Sequence, residues 1–450
     1  MSRIRIIITI IVVVLTTLLT GCTGKEPNEI AYVVALGIDS TDDDNYKITI
    51  QYANTTQISG GASESGGKAG SEIVDNVTIE APNIYAGVGL ANNIVSKSFS
   101  MSHAKLIVFS KEIAEKGVKD MIETLVRSEE IRPDVFIAVA NTTANDYLTS
   151  VNPEMEVNPA QYYQLIYQKN QLVGIPDGQL REFFTGLYTD NYDSILPVAG
   201  VIEGAGGNSQ NDDREQSKDG QNEGSEGSSE SLDSFESKSS DDKDENEKEK
   251  DAEKNTSKYE YDIKNYVGGE TAIEKKNKAE AIGAAVFEKD KMVGELGEVE
   301  TEICKILKGD YTYSYLTYYN NDTPDIPITV KTTQQKKPKY KIDTDKKTVD
   351  IELYIESDLY SLPADYNVEN KIEDFERDVA NYTSSACTEF INNFTKKYNS
   401  DILKLNEKVK YKFLTNNQYN WFKKNVGWSE YKFSVCTNFK VRRTGLIVRE

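Results

Sequence analysis

The 450-residue sequence contains only one histidine, two tryptophans, four cysteines and 11 prolines. The single histidine, His103, excludes any catalytic or metal site that needs two imidazole groups. Four cysteines in a chain of this length do not form a disulfide-built scaffold. The formal net charge of −21 disfavours binding of nucleic acid over the whole surface, because the excess carboxylates repel phosphate groups.

Length and composition are typical of a globular protein of about three domains. Hydrophobic residues make up 38% of the chain and charged residues 28%. This composition is too apolar for a wholly disordered chain and too polar for a protein with many membrane spans.

Residues 1–21 have the pattern of an export leader. Arg3 and Arg5 precede an apolar run, which ends in Leu19-Thr20-Gly21-Cys22. Small residues directly before a cysteine resemble a bacterial lipobox, which implies cleavage before Cys22 and attachment of a diacylglyceryl group to its sulfur. A thiolate is the strongest nucleophile that the chain offers for that reaction. The alternative is a plain transmembrane anchor, for which the apolar run is short.

The three remaining cysteines are Cys304, Cys387 and Cys436. Their odd number forbids complete pairing, and they lie in helical or strand patterns. We expect buried free thiols without a redox role.

An acidic segment divides the sequence into two folded halves. Residues 203–258 hold 18 acidic and 8 basic residues, and their only large apolar residues are Leu232 and Phe235. Such a segment cannot bury enough apolar surface to offset the loss of chain entropy, so disorder is predicted. The predicted organisation is an N-terminal domain at 22–202, a linker at 203–278 and a C-terminal domain at 279–450. Whether the first half is one domain or two is left open.

The first half has mixed helix and strand signals. Residues Ile30–Ile38 and Tyr46–Ala53 predict a β-hairpin. Helices are predicted from Pro82 to Ser96, with the proline in the first turn, and from Ile113 to Arg127. Leu196-Pro197 is predicted to end the domain before a strand at Val198–Ile202.

The second half has two clear amphipathic elements. Apolar residues recur every three or four positions from Val368 to Tyr398, which predicts one helix about 45 Å long. Apolar and polar residues alternate from Tyr431 to Arg442, which predicts a strand with one buried face. Together the two halves predict an α+β fold.

A series of short motifs runs in order through both halves. They are the lipobox with Cys22, Gly37 and Asp39 in Ala35-Leu36-Gly37-Ile38-Asp39, His103 and Lys105 in Ser102-His103-Ala104-Lys105, Arg127, Arg132-Pro133, Leu196-Pro197, and Gly283 and Phe287 in Gly283-Ala284-Ala285-Val286-Phe287. In order and spacing they resemble the Ger(x)C family of spore germination lipoproteins. The sequence departs from the family pattern at Thr23-Gly24, where an aromatic residue is usual, and at Ser102, where glycine is usual.

The resemblance implies a function as the C component of a nutrient germinant receptor. Such proteins are lipid-anchored on the outer face of the spore inner membrane and act with an A subunit and a permease-like B subunit. The resemblance implies no enzymatic activity, no cofactor and no metal, and structural roles for the signature residues other than Cys22. The alternative is a solute-binding lipoprotein that itself binds the small-molecule germinant. An extracellular hydrolase is disfavoured because the sequence has no Gly-x-Ser-x-Gly motif.

Several side chains allow a functional and a structural interpretation. We favour a structural role for His103 over a catalytic one, because it directly precedes an apolar strand. For Arg127, Arg132 and Asp39 we favour a buried ion network over a clamp for a ligand carboxylate.

Glu298, Glu300 and Glu302 would share one face of a strand and could then hold a metal ion. A solvated acidic edge is the favoured interpretation, since no calcium-loop motif surrounds them.

The C-terminal region is basic in an acidic protein. Lys404–Glu450 holds 11 basic and 3 acidic residues, and Lys331–Lys341 adds five lysines. Two interpretations stay open: docking onto anionic lipid headgroups or an acidic partner, and an ordinary solvated face. A group of tyrosines at 311–319 is interpreted as core or cross-strand packing.

Overall fold

The computed structural model describes residues 3–9, 29–43, 45–53, 74–152, 156, 158–168, 174–189, 191–202, 265–271, 277–319, 327–361 and 371–444. Cys22 and the acidic segment 203–258 lie outside the described residues. Within these ranges, no helix is long and apolar enough to cross a membrane.

A nine-stranded mixed sheet forms the first structural layer. Its strands are β1 (Ile30–Ser40), β2 (Tyr46–Ala53), β3 (Val74–Ala81), β4 (Ser98–Ser100), β5 (Leu106–Ser110), β6 (Phe136–Ala140), β7 (Ile195–Val201), β8 (Ala279–Glu288) and β9 (Lys291–Leu296). The order is β3-β2-β1-β5-β6-β7-β8-β9, with β4 beside β1. The central strands β1, β5, β6 and β7 run parallel. Every residue of β5 and β6 is buried, as expected of parallel strands covered on both faces.

Helices cover both faces of this sheet. They are α1 (Ile84–Ala91), α2 (Lys111–Lys116), α3 (Lys119–Val126), α4 (Ala144–Ser150), α5 (Pro159–Gln168) and α6 (Leu180–Thr189). Ile107 and Ile137 join the core formed with α1, α2, α3 and α6, whereas Leu106 and Ala138 join the core formed with α4 and α5. Successive strand residues point to opposite faces, so the two cores lie on opposite sides of the sheet.

A second sheet of five strands is formed entirely after the acidic segment. Its strands are β10 (Tyr313–Tyr319), β11 (Pro327–Gln334), β12 (Lys339–Asp343), β13 (Thr348–Ser361) and β14 (Lys432–Arg443). The accompanying helices are α7 (Glu298–Lys308), α8 (Ile372–Lys397), α9 (Leu405–Val409) and α10 (Asn416–Asn425). Apolar residues of α7 and α8 share one core with residues of β11, β13 and β14.

The two halves of the chain are joined through the first sheet. Strands β8 and β9 follow the acidic segment in sequence, yet β8 pairs antiparallel with β7 and β9 pairs with β8. Leu196 lies opposite Ala285 and Pro197 opposite Ala284. The register shifts between Pro197 and Ala199, where proline cannot donate a ladder hydrogen bond.

The α+β fold is confirmed, and so are several of its elements. The β1–β2 hairpin has the predicted pairing. The long helix forms as α8, which has 26 residues. Strand β14 alternates buried and exposed residues along most of its length.

Three predicted boundaries are wrong. Pro82 does not lie in the first turn, because Asn83 caps α1 by accepting a hydrogen bond from the Ala86 N–H at 2.9 Å. The helix predicted at Ile113–Arg127 is divided at Gly117, whose φ of 122° belongs to no right-handed helix. Leu196-Pro197 lies inside β7 and does not precede it.

The predicted burial is confirmed for two of the three thiols and is wrong for the third. Cys304 and Cys387 are buried, whereas Cys436 is exposed on β14. Burial raises the pKa of the Cys304 thiol to about 11 and that of Cys387 to about 12. Neither thiol is therefore a thiolate at neutral pH.

Candidate functional site

Gly37 and Asp39 bring helix α4 onto the end of β1. The Asp39 carboxylate accepts hydrogen bonds from the Ala144 N–H at 2.6 Å and the Asn145 N–H at 3.0 Å. A Cβ atom on Gly37 would lie 3.0 Å from Leu148 Cδ1 and 3.1 Å from Ala144 Cβ, so α4 packs directly on the strand backbone. Burial raises the pKa of Asp39, although the two amide hydrogen bonds oppose that effect. The geometry is that of a helix cap.

The predicted ion network of Arg127, Arg132 and Asp39 is wrong. Arg127 Nη2 pairs with Glu123 Oε2 at 3.1 Å, one helical turn away. Arg132 Nε pairs with Asp134 Oδ1 at 3.3 Å, and both arginines are exposed. Each guanidinium group therefore pairs at the surface with a carboxylate close to it in sequence, at i−4 for Arg127 and at i+2 for Arg132. The motif series did not indicate these local pairs.

His103 and Lys105 directly precede β5, and Pro133 precedes β6. The Pro133 carbonyl accepts the Arg181 N–H at 3.0 Å. The exposed His103 ring has Nδ1 3.1 Å from Ser102 Oγ and meets the Tyr32 ring edge-on, with the ring centroids 4.8 Å apart. The Lys105 backbone links β1 and β6 by donating to the Val34 carbonyl at 2.9 Å and accepting from the Phe136 N–H at 3.0 Å. A structural role for these residues stays a prediction.

Gly283 and Phe287 lie on β8, at the junction between the halves. Gly283 has a φ of 83°, and a Cβ atom there would lie 2.6 Å from the Leu296 carbonyl oxygen. The Phe287 side chain is fully buried, and its ring lies 5.1 Å from that of Phe183 on α6 in an edge-to-face arrangement. These residues join α6, β8 and β9.

The three glutamates at 298–302 lie on helix α7, so the strand considered for them is wrong. Glu300 Oε2 accepts the Gly297 N–H at 3.1 Å and the Asn265 Nδ2–H at 3.0 Å, which caps the helix. Glu302 is only partly accessible, which does not fit a solvated edge, and burial raises its pKa to about 7. Within the described ranges, no group of three or more histidine, cysteine, aspartate or glutamate side chains could hold a metal ion.

A polar cavity of about 590 Å³ lies where the two halves meet, and no sequence pattern predicts it. We call it the junction cavity. Its walls include Tyr192, Asp193, Lys289, Asp401 and Trp428. These residues come from the loop before β7, the β8–β9 turn, the segment after α8 and the turn before β14. No short motif contains them, because they are spread over more than 200 residues of the sequence.

Two carboxylates, the half-buried Asp193 and the buried Asp401, organise the junction cavity. Asp193 accepts hydrogen bonds from the backbone N–H groups of Lys289 and Asp401, each at 2.8 Å. Asp401 accepts the N–H groups of Leu405 and Asn406 at 2.8 Å, where α9 begins. Burial raises the pKa of both carboxyls, and that of Asp401 reaches about 7. Their oxygens hold the chain in place.

Lysines complete the link between α6 and the C-terminal helices. Lys404 Nζ lies 3.1 Å from Glu182 Oε2 and 4.2 Å from the centre of the Tyr192 ring. Lys423 Nζ donates to the Thr189 carbonyl at 3.2 Å and to Asn191 Oδ1 at 3.1 Å. The arrangement fixes one half against the other and leaves a polar concavity able to hold a small solute.

The chain folds as an α+β protein with two sheets, and its signature motifs lie in both halves. The chain matches two family models, "Spore germination protein N-terminal domain" over residues 24–201 and "Spore germination B3/ GerAC like, C-terminal" over residues 282–445. It belongs to the Ger(x)C family of spore germination proteins.

Curated relatives are similar over part of their length. Spore germination protein KC of Bacillus subtilis (strain 168) is 26% identical over 176 residues, which cover 36% of this chain and 43% of the relative. Putative spore germination protein YfkR of the same strain is 28% identical over 145 residues, covering 32% and 37%. These matches span less than half of either relative. A solved structure described as "Crystal Structure of the GerBC protein" is 15% identical, with a TM-score of 0.48 over 90% of this chain and 96% of that one.

Proposed function

We propose that the chain is the lipid-anchored C subunit of a nutrient germinant receptor complex. In this proposal it is a non-enzymatic component required for receptor assembly or signalling on the outer face of the spore inner membrane. Its partners are A-type and permease-like B-type subunits. The observation that supports this most strongly is the pair of germination-family matches, the first of which begins at residue 24, two residues after the lipobox cysteine.

A lipid anchor raises the effective concentration of the chain beside its partners. A lipid on Cys22 confines the folded halves to the membrane surface, where the integral subunits lie, and this makes their association quasi-intramolecular. Stable anchoring takes more than one acyl chain, which a diacylglyceryl thioether provides. The signature residues that cap and pack the fold keep its surfaces in a fixed geometry for contacts between subunits.

The anchor is tested by replacing Cys22 with alanine in a chain that carries an ordinary secretory leader. The changed leader removes the apolar run as a second anchor, because general leader cleavage does not need the cysteine. We expect the chain to move from the membrane fraction to the soluble fraction of spore extracts. The control is Cys436→Ala in the chain with its native leader, which changes an exposed cysteine on β14 and should leave attachment unchanged. Wild-type attachment of the Cys22→Ala chain would contradict the proposal.

The junction cavity favours a second candidate function, in which the chain itself binds the germinant. Its volume of about 590 Å³ suits a small polar solute. Titration calorimetry of the chain with amino acids and sugars tests this. A saturable heat that disappears in Ser429→Trp, which narrows the cavity, would support it. A heat that persists in Ser429→Trp would show that the solute binds elsewhere.

A further inference from the structure

Three large apolar side chains near the C-terminal end project into solvent. Tyr411 is 92% exposed, Leu414 94% and Trp421 64%. Leu414 and Trp421 line one shallow depression together with Lys412, and Tyr411 lies three residues before Leu414. We call these three side chains the Trp421 surface. Clustered exposed apolar residues of this size mark interaction sites more often than isolated ones do.

The Trp421 surface stands on an ordered support. Phe413, between the exposed Tyr411 and Leu414, is half-buried, with its ring 5.0 Å from the Phe422 ring and 5.9 Å from the Tyr419 ring. The Thr415 hydroxyl caps helix α10 by accepting the Gln418 N–H at 3.3 Å. The exposed side chains are therefore presented by packed backbone, and little further ordering is needed when they bind.

The stretch of chain that carries this surface is rich in lysine, and Lys412 lines the depression itself. Residues 404–424 contain six lysines and one glutamate, in a chain whose net charge is −21. Lys410, Lys412 and Lys424 are exposed, and among the described side chains no ion pair engages them. Lys410 Nζ lies 5.9 Å from the centre of the Tyr419 ring. The pKa of Asp343 is lowered by backbone hydrogen bonds and also by the charge of Lys412. Protein interfaces are depleted of lysine, whereas membrane interfaces combine tryptophan and tyrosine with lysine beside anionic headgroups. This combination favours a lipid surface over an acidic protein.

We propose that the Trp421 surface inserts into the interface of an anionic lipid bilayer. Tyr411, Leu414 and Trp421 reach the level of the headgroups and the adjoining acyl chains, while Lys410 and Lys412 contact lipid phosphates. The proposal rests on the membrane location in the proposed function and adds to it a second membrane contact, remote in sequence from Cys22. That contact orients the C-terminal half towards the bilayer.

The two tryptophans of the chain make the contact directly measurable. Trp421 is exposed, whereas Trp428 is only 8% exposed and donates its Nε1–H to Asn406 Oδ1 at 3.2 Å. In the full chain, Trp428→Phe leaves Trp421 as the sole reporter. We expect its emission to shift to shorter wavelength on vesicles of phosphatidylcholine with phosphatidylglycerol, and to be quenched by brominated acyl chains. The matched control Trp421→Phe should show neither change.

A charge variant tests the lipid headgroup contact. Lys412→Gln should lower affinity for the anionic vesicles about fivefold, while Lys119→Gln on α3 should leave it unchanged. If Trp428→Phe fails to fold, the difference between wild-type and Trp421→Phe spectra gives the same signal.

An unshifted and unquenched Trp421 on vesicle-bound chain would overturn the proposal, and so would equal shifts on neutral and anionic vesicles. The readout is local to Trp421. A failure of the Cys22 anchor would therefore leave it interpretable.

Discussion

The Glu302 side chain gives the sharpest test of the energetics of the second half. It lies on α7 beside a small cavity of about 90 Å³, which is lined largely by apolar residues that include Val299, Ile303 and Leu316. Burial raises its pKa from 4.5 to about 7, and repulsion from Glu298 adds to the shift. The hydrogen bond from Ser314 and the weaker one from Tyr311 oppose the shift only in part. The perturbation is Glu302→Gln, which keeps an acceptor oxygen and removes the charge.

The sign of the effect follows from proton linkage. The folded chain binds the Glu302 proton more tightly than the unfolded chain, because the folded pKa of about 7 lies above 4.5. This stabilisation is complete below pH 4.5 and is lost as the pH rises through about 7. A difference of about 2.5 pKa units corresponds to about 3 kcal/mol, of which about 2 kcal/mol is lost between pH 5 and 7.

The assay is the free energy of unfolding from urea titrations at pH 5 and pH 8. We expect Glu302→Gln to be more stable than wild type by about 3 kcal/mol at pH 8, with most of that gain absent at pH 5. The control Glu115→Gln, at an exposed position on α2, should change neither value appreciably. A Glu302→Gln variant that is less stable at pH 8, or a gain equal at both pH values, would refute the argument.

Two further predictions concern the signature residues. Asp39→Ala leaves the N–H groups of Ala144 and Asn145 at the start of α4 without their acceptor, and it should cost about 1–3 kcal/mol of unfolding free energy, measured by urea titration. Asp42→Ala on the exposed turn should be neutral. Gly283→Ala should lower the thermal unfolding midpoint, because the alanine meets both a φ of 83° and the Leu296 carbonyl oxygen. Gly89→Ala, in open space on α1, should raise that midpoint slightly, and the reverse order would contradict the packing described for β8.

Sequence patterns predicted the elements whose periodicity is long or regular. The spacing of apolar residues predicted α8, and the alternation of apolar and polar residues predicted β14. Both predictions are correct because each element buries one continuous face. The split at Gly117 and the cap at Asn83 were not predicted, since each depends on a single backbone conformation. The position of Pro197 within β7 depends on its partner in β8, which lies beyond the acidic segment.

The candidate site was harder to predict than the fold. The Asp39 carboxylate caps helix α4, which begins 105 residues later in the chain. The motif series favoured Arg127 and Arg132 as its partners, and that interpretation was wrong. At the junction cavity, Asp193 accepts a hydrogen bond from the backbone N–H of Asp401, 208 residues away. Every residue except proline has such an N–H group, so the sequence does not show which one Asp193 binds. The charge of the C-terminal region was visible in the sequence, but the exposure of Trp421 was not.

The central claim is that this Ger(x)C family chain acts as a structural subunit beside integral receptor proteins. The most direct measurement is affinity purification of the tagged chain from detergent-solubilised membranes of dormant spores, followed by mass spectrometry. The account predicts recovery of A-type and permease-like B-type subunits together with the chain. Recovery of the chain alone, from membranes in which those subunits are present and intact, would contradict it.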